Sequence, residues 1–170
     1  MVSPQELLEK LKSAEVFTFW EKDNKKSYLY LFFTITENIP TAWEIGFFNA
    51  KDHTAAAFAV GGEITLLEGD SKVFKPAHEM VEELQLDKVQ VTLDDALAIV
   101  DAVRAEHYKK ETPHKKIIIL QQVKRPLWNI TLLTASLNVL NVKICAKTGE
   151  VLEHELRSAL SFNQAKQKAS

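Results

Sequence analysis

The side chains here with acid–base, nucleophilic or metal chemistry are five histidines, one cysteine and a pair of adjacent aspartates. Their spacing decides what they can do together. His53, His78, His107, His114 and His154 are scattered along the chain, and none forms with another the close pair by which zinc sites are built. Asp94 and Asp95 are neighbours, but adjacent residues of a helix point in different directions, whereas an acid–base pair must converge on a substrate. Helix capping is the role that suits them. Cys145 has no signature placing a histidine beside it and reads as a small strand residue. Gly61-Gly62 lacks the spacing that cradles a phosphate and reads as a turn. No catalytic, metal or cofactor constellation emerges, and the chain reads as non-enzymatic.

Two features keep a binding chemistry. His107-Tyr108-Lys109-Lys110 and His114-Lys115-Lys116 form a local basic cluster, in which His107, Lys109, His114 and Lys116 could hold an anion or an acidic peptide. The plainer reading is that cations near a helix C-terminus complement its dipole. Trp43 and Trp128 are core anchors in the plain reading and the edges of a groove in the binding one.

Composition narrows the partners. With 21 basic and 23 acidic residues, no net field draws the chain to nucleic acid or an anionic membrane surface. No apolar run approaches the roughly 18 residues of a membrane helix, so insertion is not expected. Pro4, Glu6 and Glu9 interrupt what a secretory leader would keep apolar, and a single cysteine permits no internal disulfide. A cytoplasmic location follows as the expectation.

The elements that must position these residues come in order. Ser3-Pro4-Gln5-Glu6 has the form of a capping box with proline at the first helical position, and Leu7, Leu8 and Leu11 follow as an apolar stripe. Val16 to Trp20, rich in aromatic and β-branched residues, predicts a first strand, with Glu21 to Lys26 as its hairpin turn. Tyr28 to Ile35 is apolar on both faces and predicts a central strand. Trp43, Ile45 and Phe47 share one face of the next strand, and Ala55 to Val60 carries an all-alanine side against which something should pack closely. Glu63 to Leu67 is a further strand. Gly69 to Lys75 is the natural boundary, and Pro76 to Leu86 predicts a short helix with Met80, Val81 and Leu84 inward. Thr92 caps a helix that Thr112-Pro113 should stop. Strands follow at Ile117 to Val123, Trp128 to Leu132, Leu140 to Ala146 and Val151 to Leu156, with Gly149 in the last turn at a positive backbone angle.

The halves repeat one order: helix, apolar strand, proline turn, tryptophan strand, strand, glycine turn, strand. Pro40 with Trp43 answers Pro126 with Trp128, and Gly62-Glu63-Ile64 answers Gly149-Glu150-Val151. An α+β fold of two tandem units is expected, each a helix packed on an antiparallel sheet, their second faces buried against each other. The boundaries fall at 1–70, a linker at 71–90, 91–162, and a mobile tail at 163–170.

Val91-Thr92-Leu93-Asp94-Asp95-Ala96, Trp128-Asn129-Ile130-Thr131-Leu132 and Val142-Lys143-Ile144-Cys145-Ala146-Lys147-Thr148-Gly149-Glu150-Val151 together resemble the PepSY-type domain, a cystatin-like helix-on-sheet unit with a DAxTGEV turn. Cys145 stands where that motif commonly has aspartate. The resemblance covers Val91 to Glu155, with 1–70 as a divergent copy. It implies binding or regulation, as in propeptide segments that hold peptidases inactive, and carries over no catalytic residue. The expected function is therefore a binding module for a protein or peptide, inhibitor-like in its specific version. The alternative is a small-ligand carrier or sensor with an apolar pocket between helix and sheet. Self-association remains compatible with the apolar strand Tyr28 to Ile35.

Overall fold

The computed structural model describes residues 1–67 and 80–161. The boundary run Gly69 to Lys75, the start of the expected Pro76–Leu86 helix, His78 and the tail 163–170 lie outside the described residues.

Helix α1 (Pro4–Lys12) starts as its capping box dictates: the Ser3 hydroxyl accepts from the Glu6 backbone, and Glu6 reaches back to the Ser3 amide at 2.8 Å. Helix α2 (Glu15–Asp23) corrects the strand expected at Val16 to Trp20. Val16, Phe17 and Trp20 fall on one side at helical spacing and pack inward, while Phe19 is 72% exposed. Aromatic composition favours a strand, but the one-sided burial favoured the helix.

Strands β1 (Tyr28–Thr36), β2 (Trp43–Asn49), β3 (Thr54–Val60) and the two-residue β4 (Thr65–Leu66) form an antiparallel meander. Met80 to Gln85 is not helical, against expectation, and Met80 is exposed. The backbone is engaged elsewhere: the Leu84 amide donates to the Leu29 carbonyl at 2.9 Å, and the Val81 carbonyl accepts from the Tyr28 hydroxyl. Helix α3 (Leu93–His107) begins at the Thr92 cap and ends before the expected Thr112-Pro113 stop. Beyond it, buried Glu111 accepts from Thr134 at 2.7 Å and from Asn138 at 2.9 Å, which turns the chain into the sheet. Strands β5 (Pro113–Val123), β6 (Arg125–Thr134), β7 (Asn138–Cys145) and β8 (Val151–Ser158) complete a second meander, with Gly149 at φ 80° in its last turn.

The two tandem PepSY-like or cystatin-like units, each a helix on its own sheet, are not what forms. β1 pairs with β5 from Leu31 opposite Gln121 to Thr36 opposite Lys116, making one eight-stranded antiparallel sheet in the order β4-β3-β2-β1-β5-β6-β7-β8. The meanders join edge to edge rather than face to face, because two apolar strands satisfy their backbone groups by pairing. Tyr28 to Ile35 is central, as its composition implies, but among the described residues helices cover one of its faces only.

That covered face holds one core. Phe32, Ile45, Phe58, Val60, Ile118, Trp128, Ile130, Val142 and Ile144 of the sheet join in it with Leu7, Leu11 and Phe17 of α1 and α2 and with Leu93, Ala96, Val100 and Val103 of α3. Phe17, Trp20, Phe47 and Phe58 pack ring against ring with centroids 5.2–6.0 Å apart, in the tilted and edge-on arrangements aromatic rings prefer.

Candidate functional site

The strand period assigns every other residue of the sheet to the face opposite the helices. On β1 and β5 these residues are Leu31, Phe33 and Ile35 with Ile117 and Ile119, and none belongs to the buried core. Leu31, Phe33, Ile117 and Ile119 are half-buried, and Ile35 is 52% exposed. No helix among the described residues lies against them. Cross-strand rows carry the face outward from this apolar centre: Phe33, Ile119, Asn129, Lys143, Glu153; then Ile35, Ile117, Thr131, Asn141, Glu155; then Lys115, Leu133, Val139, Arg157.

Along each row the chemistry passes from apolar to charged. The Asn141 amide donates to Asn129 at 2.6 Å and to Thr131 at 2.9 Å. Lys143 pairs with Glu153 at 2.9 Å, and Arg157 with Glu155 at 2.8 Å. The hydrogen bond from Lys143, reinforced by its charge, holds the Glu153 carboxyl below its ordinary range; the bond to Glu155 raises Arg157. These side chains border an open recess of about 410 Å³ over β6–β8. Toward β3 the face sets small residues on β3 beside aromatic rings on β1 and β2, where Phe48 is buried against Tyr28 and Tyr30. Ala55, Ala57 and Ala59 stand opposite Phe48, Gly46 and Glu44, and the Tyr30 ring lies across Gly46. Burial, with Glu44 adding to it, raises the Tyr30 phenol.

The residues singled out by sequence lie mostly elsewhere. Trp128 is fully buried, its indole N–H donating to the Val91 carbonyl at 3.0 Å. Trp43 is 6% exposed at the start of β2, where it borders a shallow recess with Phe33, Ile35 and Glu44. His107, in the last turn of α3, stacks on His154 of β8 with centroids 4.7 Å apart, and the Tyr108 hydroxyl meets His154 Nδ1 at 2.7 Å. Lys109 and His114 are exposed. Lys116 donates to the Glu37 carbonyl at 3.2 Å and is thereby drawn to the loop after β1. The structure thus brings His107 to His154, two histidines distant in sequence, and ties Lys116 to another loop. Cys145 is buried at the end of β7; burial raises its thiol pKa, and hydrogen bonds from Thr148 and Lys147 more than offset that.

Sequence reasoning offered a sheet face or a sheet edge for binding and named, as candidates, none of the residues of this face. Its signal was present: Leu31, Phe33 and Ile35 are apolar at the positions that alternate with the core residues Phe32 and Thr34. A second concavity, a cleft of about 500 Å³, lies between α1, α2 and the start of β1, lined by Leu8, Phe17, Trp20, Tyr28, Glu83 and Asp87. Among the described residues, no three histidine, cysteine, aspartate or glutamate side chains gather as metal ligands would, and no helix is long and apolar enough to cross a membrane.

No family model matches the chain. No curated protein matches it either. Among solved structures, it is similar to the crystal structure of a protein from Clostridium difficile 630 provisionally described as a lipoprotein: 14% identity over 92% of this chain and 93% of that one, with a TM-score of 0.54. At that identity the likeness concerns the fold alone.

Proposed function

We propose that this protein is a non-enzymatic binding module that engages a protein or peptide through the open face of its sheet. The observation that carries the reading is the apolar band of Leu31, Phe33, Ile35, Ile117 and Ile119, central in the sheet and without a helix over it among the described residues, with an amide and ion-paired border on the β6–β8 side. An apolar centre inside a polar rim is the anatomy of a recognition surface. The face fits better than the edges for this purpose. β4 is two residues long, and Glu153, Glu155 and Arg157 along β8 discourage strand addition. A cytoplasmic home, with Cys145 remaining a free buried thiol, belongs to the same reading.

The test is a photo-reactive residue introduced at Phe33 and, separately, at Phe19 on α2. The reading expects polypeptide cross-links from position 33 and none from position 19. Equal yields from both would remove it. The inhibitor-like version names a peptidase as the partner, and purified chain that leaves a peptidase panel unaffected removes that version without touching the face.

A second reading has its own observation. The cleft beside Phe17 and Trp20 is within the size range of small-molecule sites, which supports a carrier or sensor. Native mass spectrometry of the purified chain checks it. A bound small molecule lost on Trp20→Ala supports the carrier, and bare protein mass counts against it.

A further inference from the structure

We infer that one end of the sheet, where β1, β6 and β8 finish and β5 and β7 begin, docks on the surface of an anionic lipid bilayer. This goes beyond the open-face reading and does not depend on it.

Three separate pieces of chain hold an apolar residue in water there. Ile39 in the loop after β1 is 67% exposed, Leu137 in the β6–β7 turn 61% and Leu160 after β8 63%. The ladder brings them to the same end. Thr36 stands opposite Lys116, Pro113 opposite Thr134 and Asn138 opposite Ser158, while the Ala159 amide donates to the Leu137 carbonyl at 2.8 Å. At about 4.8 Å per strand, the steps from β1 through β5, β6 and β7 to β8 span roughly 19 Å.

Leu137 is doubly out of place. Its φ of 56° lies in the left-handed region, where glycine or asparagine is ordinary and a leucine is crowded. A large apolar side chain kept both in water and in a strained turn points to a use outside the fold.

The cations gather at the same end. Lys115 and Lys116 are in the first turns of the β5 ladder, His114 lies in the irregular step before Lys115, and Lys109 and Lys110 stand in the turn that leads there from α3. None of the four lysines has an ion-pair partner among the described residues. The nearby acids are mostly engaged: Glu111 is buried with Thr134 and Asn138, Glu155 pairs with Arg157, and Glu106 lies against His107. Glu37 is exposed, with the Lys116 ammonium on its carbonyl. The net charge of −2 belongs to the whole chain, but within a Debye length of about 8–10 Å a surface meets this end and not the average.

The arrangement favours a bilayer over an acidic protein. A protein interface gathers its apolar residues into a centre with a polar rim. Here the apolar tips come from three segments, with the lysines of β5 between Ile39 and the other two. Each tip can enter the acyl boundary on its own while the ammonium groups reach lipid phosphates.

Flotation of the purified full chain tests this, with vesicles of phosphatidylcholine alone and of phosphatidylcholine containing about 30% phosphatidylserine, in about 0.1 M salt. The expected result is binding to the second set only, weakening as salt is raised. Lys109→Gln and Lys110→Gln together should lower the partition coefficient about 25-fold, at about 5-fold per lysine near an anionic surface. Leu137→Gly should lower it about 10-fold, as expected for one leucine partly withdrawn from water. Glycine adopts that φ freely, so this variant should melt no lower than wild type and its lost binding is not lost fold. Lys51→Gln, in the turn at the other end of the sheet, and Phe19→Ser, on α2, should change nothing. Equal recovery with both vesicle sets, or binding that survives either the double lysine change or Leu137→Gly, overturns the inference. So does capture of poly-glutamate in preference to the vesicles, which assigns the lysines to an acidic polypeptide. None of these outcomes bears on cross-linking from position 33, by which the open-face reading stands or falls separately.

Discussion

Replacing Trp128 by phenylalanine separates a core anchor from a groove wall. The indole is fully buried under α3 and spans the covered face, its N–H held by the Val91 carbonyl. Phenylalanine keeps a ring in the site but vacates roughly 40 Å³, which at ~24 cal/mol per Å³ costs about 1 kcal/mol. The apolar area no longer buried contributes about 1 kcal/mol more. Losing the N–H leaves the Val91 carbonyl without this donor, a further cost of about 1 kcal/mol. The expected destabilisation is about 3 kcal/mol, which for a chain of this length lowers the melting temperature by roughly 6–12 °C. Urea denaturation followed by circular dichroism measures it, since ellipticity does not depend on the removed fluorophore. Binding at the open face should be unchanged after correction for the folded fraction, because Trp128 points to the other side. A loss below about 0.5 kcal/mol, the level of an ordinary surface substitution, would refute the assignment of Trp128 to the core. A selective loss of binding in a protein of undiminished stability would refute the assignment of faces.

Three further outcomes are expected. Gly46→Ala would place a Cβ 2.5 Å from a Tyr30 ring atom and 3.2 Å from Leu31 Cγ, so the ring must leave its seat on the open face; a loss of about 1–3 kcal/mol in a denaturant titration checks this. Gly149→Ala sets an L-residue at φ 80° while meeting Ile99 only at ordinary contact distance, so a loss of about 1–2 kcal/mol should come from the backbone alone and shorten the protection of β7 and β8 in hydrogen exchange. The Lys143–Glu153 pair favours the folded state above the carboxyl's ordinary titration range, and that contribution is lost as the pH falls through the lowered folded value. In Lys143→Met the Glu153 carboxyl should titrate closer to its ordinary range, and a carboxyl NMR titration that shows no upward movement would contradict the pairing.

Much of the local structure was legible. Ser3, Pro4 and Glu6 announce α1 because the capping box satisfies orphan amides within four residues. Thr92 and Gly149 mark their turns because their requirements are equally local. The face assignments of Trp128, Ile130 and Leu132 against Leu140, Val142 and Ile144 follow from strict alternation. The candidate binding residues were less legible. Trp43 and Trp128 are conspicuous by size, yet size brings a side chain into a core as readily as to a groove. His107, Lys109, His114 and Lys116 are close in sequence, but a helix end and the start of a strand separate them. Lys116 turns to Glu37, while His107 finds His154 across 47 positions of chain. The α2 region misled because Val16, Phe17, Phe19 and Trp20 have strand-like composition in a segment whose burial is helical.

By itself, the sequence determined which side chains share a face, where helices begin and where the chain turns, since each of these is decided by contacts within a few residues. The tertiary structure alone decided that β1 pairs with β5, and with it the choice of one sheet over two stacked units. Backbone donors and acceptors are the same in every strand, so alternation cannot say which edge meets which. A strand apolar on both sides is equally compatible with a second layer and with an open face. Only the placement of the three described helices on one side shows that, among the described residues, no helix lies over Leu31, Phe33, Ile35, Ile117 and Ile119.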